Sequence, residues 1–356
     1  MGKVINLASD NTSGVAPEII SSLTKAANIS SMPYGEDPFT IKLQSVANEI
    51  FEREVLIYPV ATGSAANALA LATVSPPYGQ VFCHAQSHIE EDECAAPEFY
   101  MGGGKLSLLE GKNAKFSAAS LREKLDNHSP APAVHRAQPA AVSITQATEL
   151  GTIYTADEIS EISEVCRSNN LPLHMDGARL ANAIVSMGMQ IADCTWRAGV
   201  DILSLGATKN GVFAAEAVVF FDVSKAADFE FRRKRGGHLF SKLRFLSSQL
   251  VPYLESNYWL KLADNSNRRA RELAQGLSKI KSISILADVQ TNMIFLQMPT
   301  HFVDILKKEN CLFYSWGEKE GSISARFVTS FNTSKHEVAQ VLSLIKRADS
   351  ITKPKL

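Results

Sequence analysis

The chain has 356 residues, 45% of them apolar and 21% charged, the balance of a folded globular protein rather than a disordered or fibrous one. At roughly 150 residues per domain that length predicts about two domains, and 36 Lys and Arg against 37 Asp and Glu leave a net charge of −1, which argues against a general nucleic-acid binder because phosphates demand surplus basic charge. The longest apolar runs, 55–62 and 214–221, fall well short of the ~20 residues of a spanning helix, so no membrane association is expected.

The opening MGKVINLASDN has no basic stretch leading into an apolar segment, so no secretory signal is expected, and Asn6 stands where a myristoylation motif has Ser or Thr. Cys83, Cys94, Cys166, Cys194 and Cys311 are scattered and form no CxxC pair, the usage of reduced thiols in a cytoplasmic protein. The Asn-x-Ser/Thr triplets at Asn11, Asn28, Asn127 and Asn332 are then chance matches. From about 54 to 222 short β-rich runs alternate with helical stretches. A strand is predicted over 54–62 (EVLIYPVAT) with a helix from Gly63, a strand over 79–85, a helix over 117–127 and a buried strand over 140–146. Thr155 and Glu158 form a capping box that opens a helix whose Ile159, Ile162, Val165 and Cys166 make one apolar stripe. Strands follow at 171–176, 201–205 and 214–221. Such alternation predicts a largely parallel sheet with helices on both faces and a ligand at the carboxyl ends of its strands.

Beyond about 225 the pattern becomes long polar helices, then strands near 283–287, 293–297 and 323–331, with helices at 302–309 and 334–347, the second capped by Ser334 and Glu337. This reads as an N-terminal arm (1–14), a large α/β domain (15–250) and a smaller C-terminal α+β domain (251–356). The basic run Arg232–Arg235 reads as a solvated helix face.

Familiar nucleotide signatures are absent: GGGK at 102–105 is no P-loop, and no GxGxxG follows a strand. His84 and His88 before an acidic run hint at a metal, but no converging ligands are identifiable and none is expected. HMDGAR instead puts Asp176 at a strand end with Arg179 just beyond, and SLGATKNG then presents Lys209 beside Ser204, Thr208 and two glycines. A lysine among small residues at a strand end can be desolvated, as a Schiff-base lysine must be. An aspartate at a neighbouring strand end can hold a pyridinium nitrogen. Upstream, Gly63 and Ser64 open a helix whose amides suit a phosphate. Phosphate site, pyridinium partner and imine lysine are what pyridoxal phosphate requires of a protein.

With these motifs the chain resembles the low-specificity L-threonine aldolases, in the β-eliminating-lyase group of fold-type I pyridoxal-phosphate enzymes. SDNTSG, YGEDPFT (34–40), TGSAANALAL (62–71), HIEEDE (88–93), LHMDGARLANA (173–183), SLGATKNG (204–211) and ARFVTSF (325–331) occur in the family's order over nearly the whole chain. The resemblance implies a mostly parallel seven-stranded sheet of the aspartate-aminotransferase type, and cleavage of β-hydroxy-α-amino acids to glycine and an aldehyde. It implies Lys209 as the covalent anchor, Asp176 on the pyridinium nitrogen, Gly63 and Ser64 on the phosphate, and His88 stacked on the ring, with Ser204, Thr208 and Arg179 also around the cofactor. Ser9, Arg179 and Arg326 match positions that grip the substrate carboxylate, and Tyr34 one near cofactor or substrate, from its own or a neighbouring subunit. It further implies a homotetramer, a dimer of dimers with sites near subunit boundaries, and leaves Arg235 and His238 as phosphate-side or interface candidates. One segment departs: the family's Glu-Asn-Thr-His-Asn-Gly run reads here Thr145-Gln146-Ala147-Thr148-Glu149-Leu150-Gly151, without the histidine, so Gln146 or Thr148 is expected to take a cofactor or hydroxyl contact. Elimination or transamination on the same scaffold, or a cofactor-binding sensor, are the rival readings that sequence alone leaves open.

Overall fold

The computed structural model describes residues 4–127 and 133–350. The triplet at Asn127 and the outer ends of the expected arm and small domain run outside the described residues. A two-residue strand β1 (Ile5–Asn6) is followed by β2 (Leu56–Val60), β3 (Gly79–His84), β4 (Lys105–Leu109), β5 (Gln138–Thr145), β6 (Leu173–Gly177), β7 (Ile202–Leu205) and β8 (Glu216–Phe220). The last seven form one sheet in the order β2-β8-β7-β6-β5-β3-β4. Neighbours from β7 to β4 run parallel, whereas β8 is antiparallel to both β2 and β7.

Successive residues of these strands enter opposite cores. Ile202 and Val218 pack with Ala65 and Leu69 of helix Gly63–Val74, while Leu203 and Val219 pack with Ile159 and Ile162 of helix Ala156–Ser168. Burial on both faces is why the strands read as continuous apolar runs rather than alternating ones. Helix Gly63–Val74 is itself buried from Ala65 through Ala72, which explains a sequence without a polar stripe. Both capping boxes form: Thr155 with Glu158, and Ser334 with Glu337, whose backbone N–H donates to Ser334 Oγ at 3.2 Å.

The C-terminal part contains β9 (Ser284–Ile285), β10 (Met293–Pro299), β11 (Cys311–Leu312), β12 (Tyr314–Lys319) and β13 (Ser322–Val328). Four of them form a sheet in the order β12-β13-β10-β9, and β11 pairs in parallel with β1. Ile5 and Leu7 of the arm therefore lie in the same core as Leu296, Phe327 and Val341. The change of core falls along helix Tyr258–Leu277: Trp259 and Leu262 belong to the first core, Leu273 and Leu277 to the second. The position expected for the domain boundary, 250/251, lies inside helix Arg244–Leu254, whose Tyr253 and Leu254 still pack in the first core.

The solvated-face expectation for the basic run fails at Arg233. It is 5% exposed with its guanidinium 5.0 Å from the Tyr58 ring centre, so the residue packs over β2 by cation–π attraction.

Candidate active site

A cleft of about 360 Å³ opens where β6 and β7 end, in the size range of small-molecule sites. Gly63, Ser64, His88, Asp176, Ser204, Thr208 and Lys209 all line it. At one end is the start of helix Gly63–Val74. The Thr62 hydroxyl accepts the Ala65 N–H and the Thr62 carbonyl the Ala66 N–H, and the Gly63 and Ser64 amides have no partner among the described residues. Unpaired amides at a helix start suit an anion. His238 Nδ1 accepts the Ala61 N–H at 3.3 Å, bracing the strand end that leads into this turn, whereas Arg235 lines a different cavity.

At the centre, Asp176 closes β6. Its Oδ1 accepts the Ala178 N–H at 3.0 Å and its Oδ2 the Asn67 amide at 2.9 Å. The same Asn67 nitrogen donates to Glu93 Oε1 at 2.8 Å, which also receives His88 Nδ1 at 2.8 Å. Asn67 and Glu93 thus join His88 to Asp176 by one buried chain. The ligand-type atoms of His88, Glu93 and Asp176 lie within 4.8 Å of one another, but Asn67 bridges the two carboxylates. His84, the other half of the expected pair, is turned away: its Nδ1 accepts the Gln86 N–H and its Nε2 faces the Gly111 carbonyl. The hydrogen bond that His88 donates to Glu93 raises the His88 pKa above its ordinary value, against the opposing effect of burial. Glu93→Gln is expected to move the His88 titration to lower pH, read from its ring-proton NMR shifts; an unmoved titration contradicts the assigned cause.

The lysine turn is held from below. Ala207 N–H donates to Glu216 Oε2 at 2.6 Å and Thr208 N–H to Oε1 at 3.3 Å. Burial raises the Glu216 pKa, against the lowering effect of these donors and of Lys209. Gly206 passes so close to Ala178 that an added Cβ would meet its backbone at 2.5 Å, which lets the lysine turn and the DGAR turn come together. Behind them His174, buried and held neutral with a pKa depressed to about 4 by desolvation, links Ser143 on β5 to Ser204 on β7.

On the carboxylate side, Arg179 donates through Nε and one terminal nitrogen to Asp10 at 2.7 and 2.9 Å. Asn292 also donates to Asp10, at 3.0 Å. Arg179, expected to grip a substrate carboxylate, thus pairs through one side of its fork with Asp10, and its other terminal nitrogen lies outside that pair. Arg326 on β13 differs. Its Nε is buried without a partner, and one terminal nitrogen has only the Ala8 carbonyl at 3.4 Å. Ser9 caps the turn carrying Asp10, accepting the Asn11 N–H.

A family model described as beta-eliminating lyase matches residues 6–299. A protein named low specificity L-threonine aldolase from Pseudomonas aeruginosa is 38% identical over 334 residues, 94% of this chain and 95% of that one. One of the same name from Escherichia coli K12 is 24% identical over 352 residues, 95% and 97% of the two chains. The solved threonine aldolase of Leishmania major superposes with a TM-score of 0.91 at 25% identity, covering 97% of this chain and 99% of that one.

The chain belongs to the beta-eliminating lyase family.

Three residues expected at the site are turned to other partners. Both ends of the Gln146 amide are bound to the backbone of Tyr154, at 2.8 and 3.0 Å, so it fixes the loop. Thr148 is likewise turned to Thr152, at 2.7 Å. Tyr34 does not line the cleft; it is half-exposed, with the Lys234 ammonium 4.6 Å from its ring centre. Asn67, Glu93, Glu216 and Asp10 were missed by the sequence reading. Glu93 lies inside the quoted HIEEDE and Asp10 inside SDNTSG, but nothing in the local pattern separates an inward carboxylate from its solvated neighbours.

Proposed function

We infer that this protein is a pyridoxal-phosphate-dependent carbon–carbon lyase that cleaves L-threonine, L-allo-threonine or related β-hydroxy-α-amino acids to glycine and an aldehyde. The observation that carries this reading is the convergence of Lys209, Asp176 and the free amides of Gly63 and Ser64, distant in sequence, on one cleft. The residues fit the cofactor. A Cβ built on Gly63 meets nothing within 4 Å, so there is open space for a phosphate beside the amides. When bound, the cofactor supplies an electron sink conjugated to the amino acid's Cα.

The remaining work falls to side chains. Lys209 would hold the cofactor covalently, and Asp176, fixed by Asn67 and the Ala178 amide, would hold its ring nitrogen. The unpartnered Arg326 Nε receives the α-carboxylate, and that grip sets the rotation of Cα so that Cα–Cβ is the bond presented for cleavage. Arg179, neutralised by Asp10, supports the same wall.

We also propose a homo-oligomer, a dimer of dimers, in which Tyr34 meets a partner's site. Phe99 and Phe231, each 77% exposed, rim a cavity of about 830 Å³ with Arg232 and Arg235, a grouping of exposed aromatics that suits a protein contact. The five free cysteines support a cytoplasmic setting; no helix among the described residues is long and apolar enough to cross a membrane. The division into a large and a small domain follows the two cores, with the arm folded onto the small one.

The experiment is to supply pyridoxal phosphate and L-allo-threonine and follow the products. Glycine and aldehyde in equal amounts are expected. Ammonia or a keto acid in their place overturns the reading in favour of elimination or transamination.

A further inference from the structure

We propose that Glu149 is the proton acceptor at the substrate's β-hydroxyl. This rests on the lyase reading above. The segment that follows β5 is fixed so that one acidic side chain remains free. Thr145, the last residue of β5, pairs with Asp176, so the loop leaves the sheet beside the cleft. Gln146 and Thr148 are tied to Tyr154 and Thr152. Thr148 N–H donates to the Thr152 carbonyl at 2.9 Å, Gly151 N–H closes back on Thr148 at 2.8 Å, and Thr291 holds the Gly151 carbonyl at 2.9 Å. Glu149 sits at the tip of this braced turn, and its carboxylate has no hydrogen bond or ion pair among the described residues.

Its neighbours are the charges of the site. Glu149 acts electrostatically on Arg179 and Asp176 from the DGAR turn, on Lys209 from the lysine turn, on His88 from the far wall and on Arg326 from β13. The loop that carries Glu149 is tied directly to the DGAR turn, Gln146 N–H donating to the Asp176 carbonyl at 2.7 Å and Arg179 N–H to the Gln146 carbonyl at 3.3 Å, which sets the turn beside the cleft that Asp176 and Lys209 line. The other acids are committed. Asp10 is ion-paired, Glu93 and Asp176 share Asn67, and Glu216 holds two backbone amides. His88 donates Nδ1 to Glu93, which fixes its ring on the far wall and raises its pKa against the opposing effect of burial. Burial also raises the Glu149 pKa, against the lowering pull of Arg179, Lys209 and His88, and a carboxyl tuned upward is a better base near neutral pH.

In the step itself the hydroxyl O–H bond breaks and its proton passes to a Glu149 Oε. The O–H pair becomes the second C–O bond of the aldehyde, and the Cα–Cβ pair stays with the glycine fragment. That fragment takes a proton at Cα, and Glu149 loses its own to solvent, so the turnover is balanced.

The test compares wild type with Glu149→Gln and Glu149→Asp, cofactor-loaded, in two reactions. Cleavage of L-allo-threonine by Glu149→Gln is expected to fall on the order of 10²–10⁴-fold, with Glu149→Asp intermediate. Exchange of the glycine α-proton with deuterated solvent, which involves no β-hydroxyl, should stay within about threefold of wild type. Without cofactor, an infrared carboxyl band that titrates with pH should be present in wild type and missing from Glu149→Gln, and both should bind pyridoxal phosphate equally by fluorescence quenching. Undiminished cleavage in Glu149→Gln overturns the assignment. An equal loss of exchange and cleavage, or weakened cofactor binding, also overturns it by showing a structural role. A wild-type protein that exchanges glycine but releases no aldehyde overturns the lyase reading itself, whatever the variant does.

Discussion

Asp10→Ala is expected to lower the free energy of unfolding by about 3–5 kcal/mol, measured by denaturant titration, because it strands a buried guanidinium. Asp10 and Arg179 are 1% and 6% exposed and share two hydrogen bonds at 2.7 and 2.9 Å. Removing the acid leaves Arg179 desolvated beside Arg326, a second cation that already disfavours it. Asn292, which donates to the same carboxylate, loses its partner too. A double variant, Asp10→Ala with Arg179→Met, should recover most of the stability, since replacing both charges removes the unpaired one. It should not recover substrate affinity if the pair supports the carboxylate wall. The pH dependence follows from the folded pKa of Asp10. Burial alone would raise it, but the charge and hydrogen bonds of Arg179, with help from Lys209 and Asn292, bring it below the ordinary carboxylate value. A depressed carboxyl stabilises the fold above its unfolded pKa, and that contribution is lost as pH falls through the folded value. Wild type should therefore lose stability at acid pH along a limb that Asp10→Ala lacks. Equal stability of the two proteins at neutral pH would contradict the pairing.

Much of this was legible from the sequence, for reasons that differ by region. The central strands were readable because two-sided burial forces unbroken apolar runs, as in the stretch that became β6 and in Ala140–Thr145 of β5. Strand β4 (KLSLL) was missed because its outward Lys105 and Leu108 are exposed at the sheet edge, which thins the apolar signal. Strand β12 was missed because nearly all of its side chains are exposed. Helices Pro17–Ala27 and Pro38–Ile50, each with few buried residues, were not predicted. Lys209, Asp176 and the Gly63–Ser64 turn, which line one cleft, could be picked out because backbone conformation and strand-end position constrain nearby residue types. Glu93, Asn67 and Glu216 were not. Each acts through a contact with a residue distant in sequence or with a backbone amide, as when Asn67 reaches both Glu93 and Asp176, and no local pattern records such pairings. Gln146 shows the converse: its residue type suited a cofactor contact, but the Tyr154 backbone had the prior claim on it.

Lys209→Ala should abolish the protein's ability to retain pyridoxal phosphate through dialysis and reduce cleavage by roughly 10³-fold or more, as removal of a covalent centre does elsewhere. The loss should not come from unfolding. Lys209 sits in a short turn whose preceding amides, Ala207 and Thr208, are held by Glu216 and not by the lysine side chain. The ammonium does contribute to the field of the site, lowering the pKa of Asp10, Glu149 and Glu216 alike. Its removal leaves these acids with one fewer counter-charge, so the buried Glu216 and Glu149 should take up protons at higher pH in the variant. That shift separates two explanations of lost activity. If Lys209 served only as a charge, Lys209→Arg would restore both the titration of the acids and the cleavage, because a guanidinium keeps the charge. If it is the covalent anchor, Lys209→Arg restores the titration and leaves cofactor retention and cleavage lost, since a guanidinium is too weakly nucleophilic to take its place. Cofactor retained by Lys209→Ala with cleavage intact would remove the lysine from the reaction, and with it the reason for reading this cleft as a pyridoxal-phosphate site.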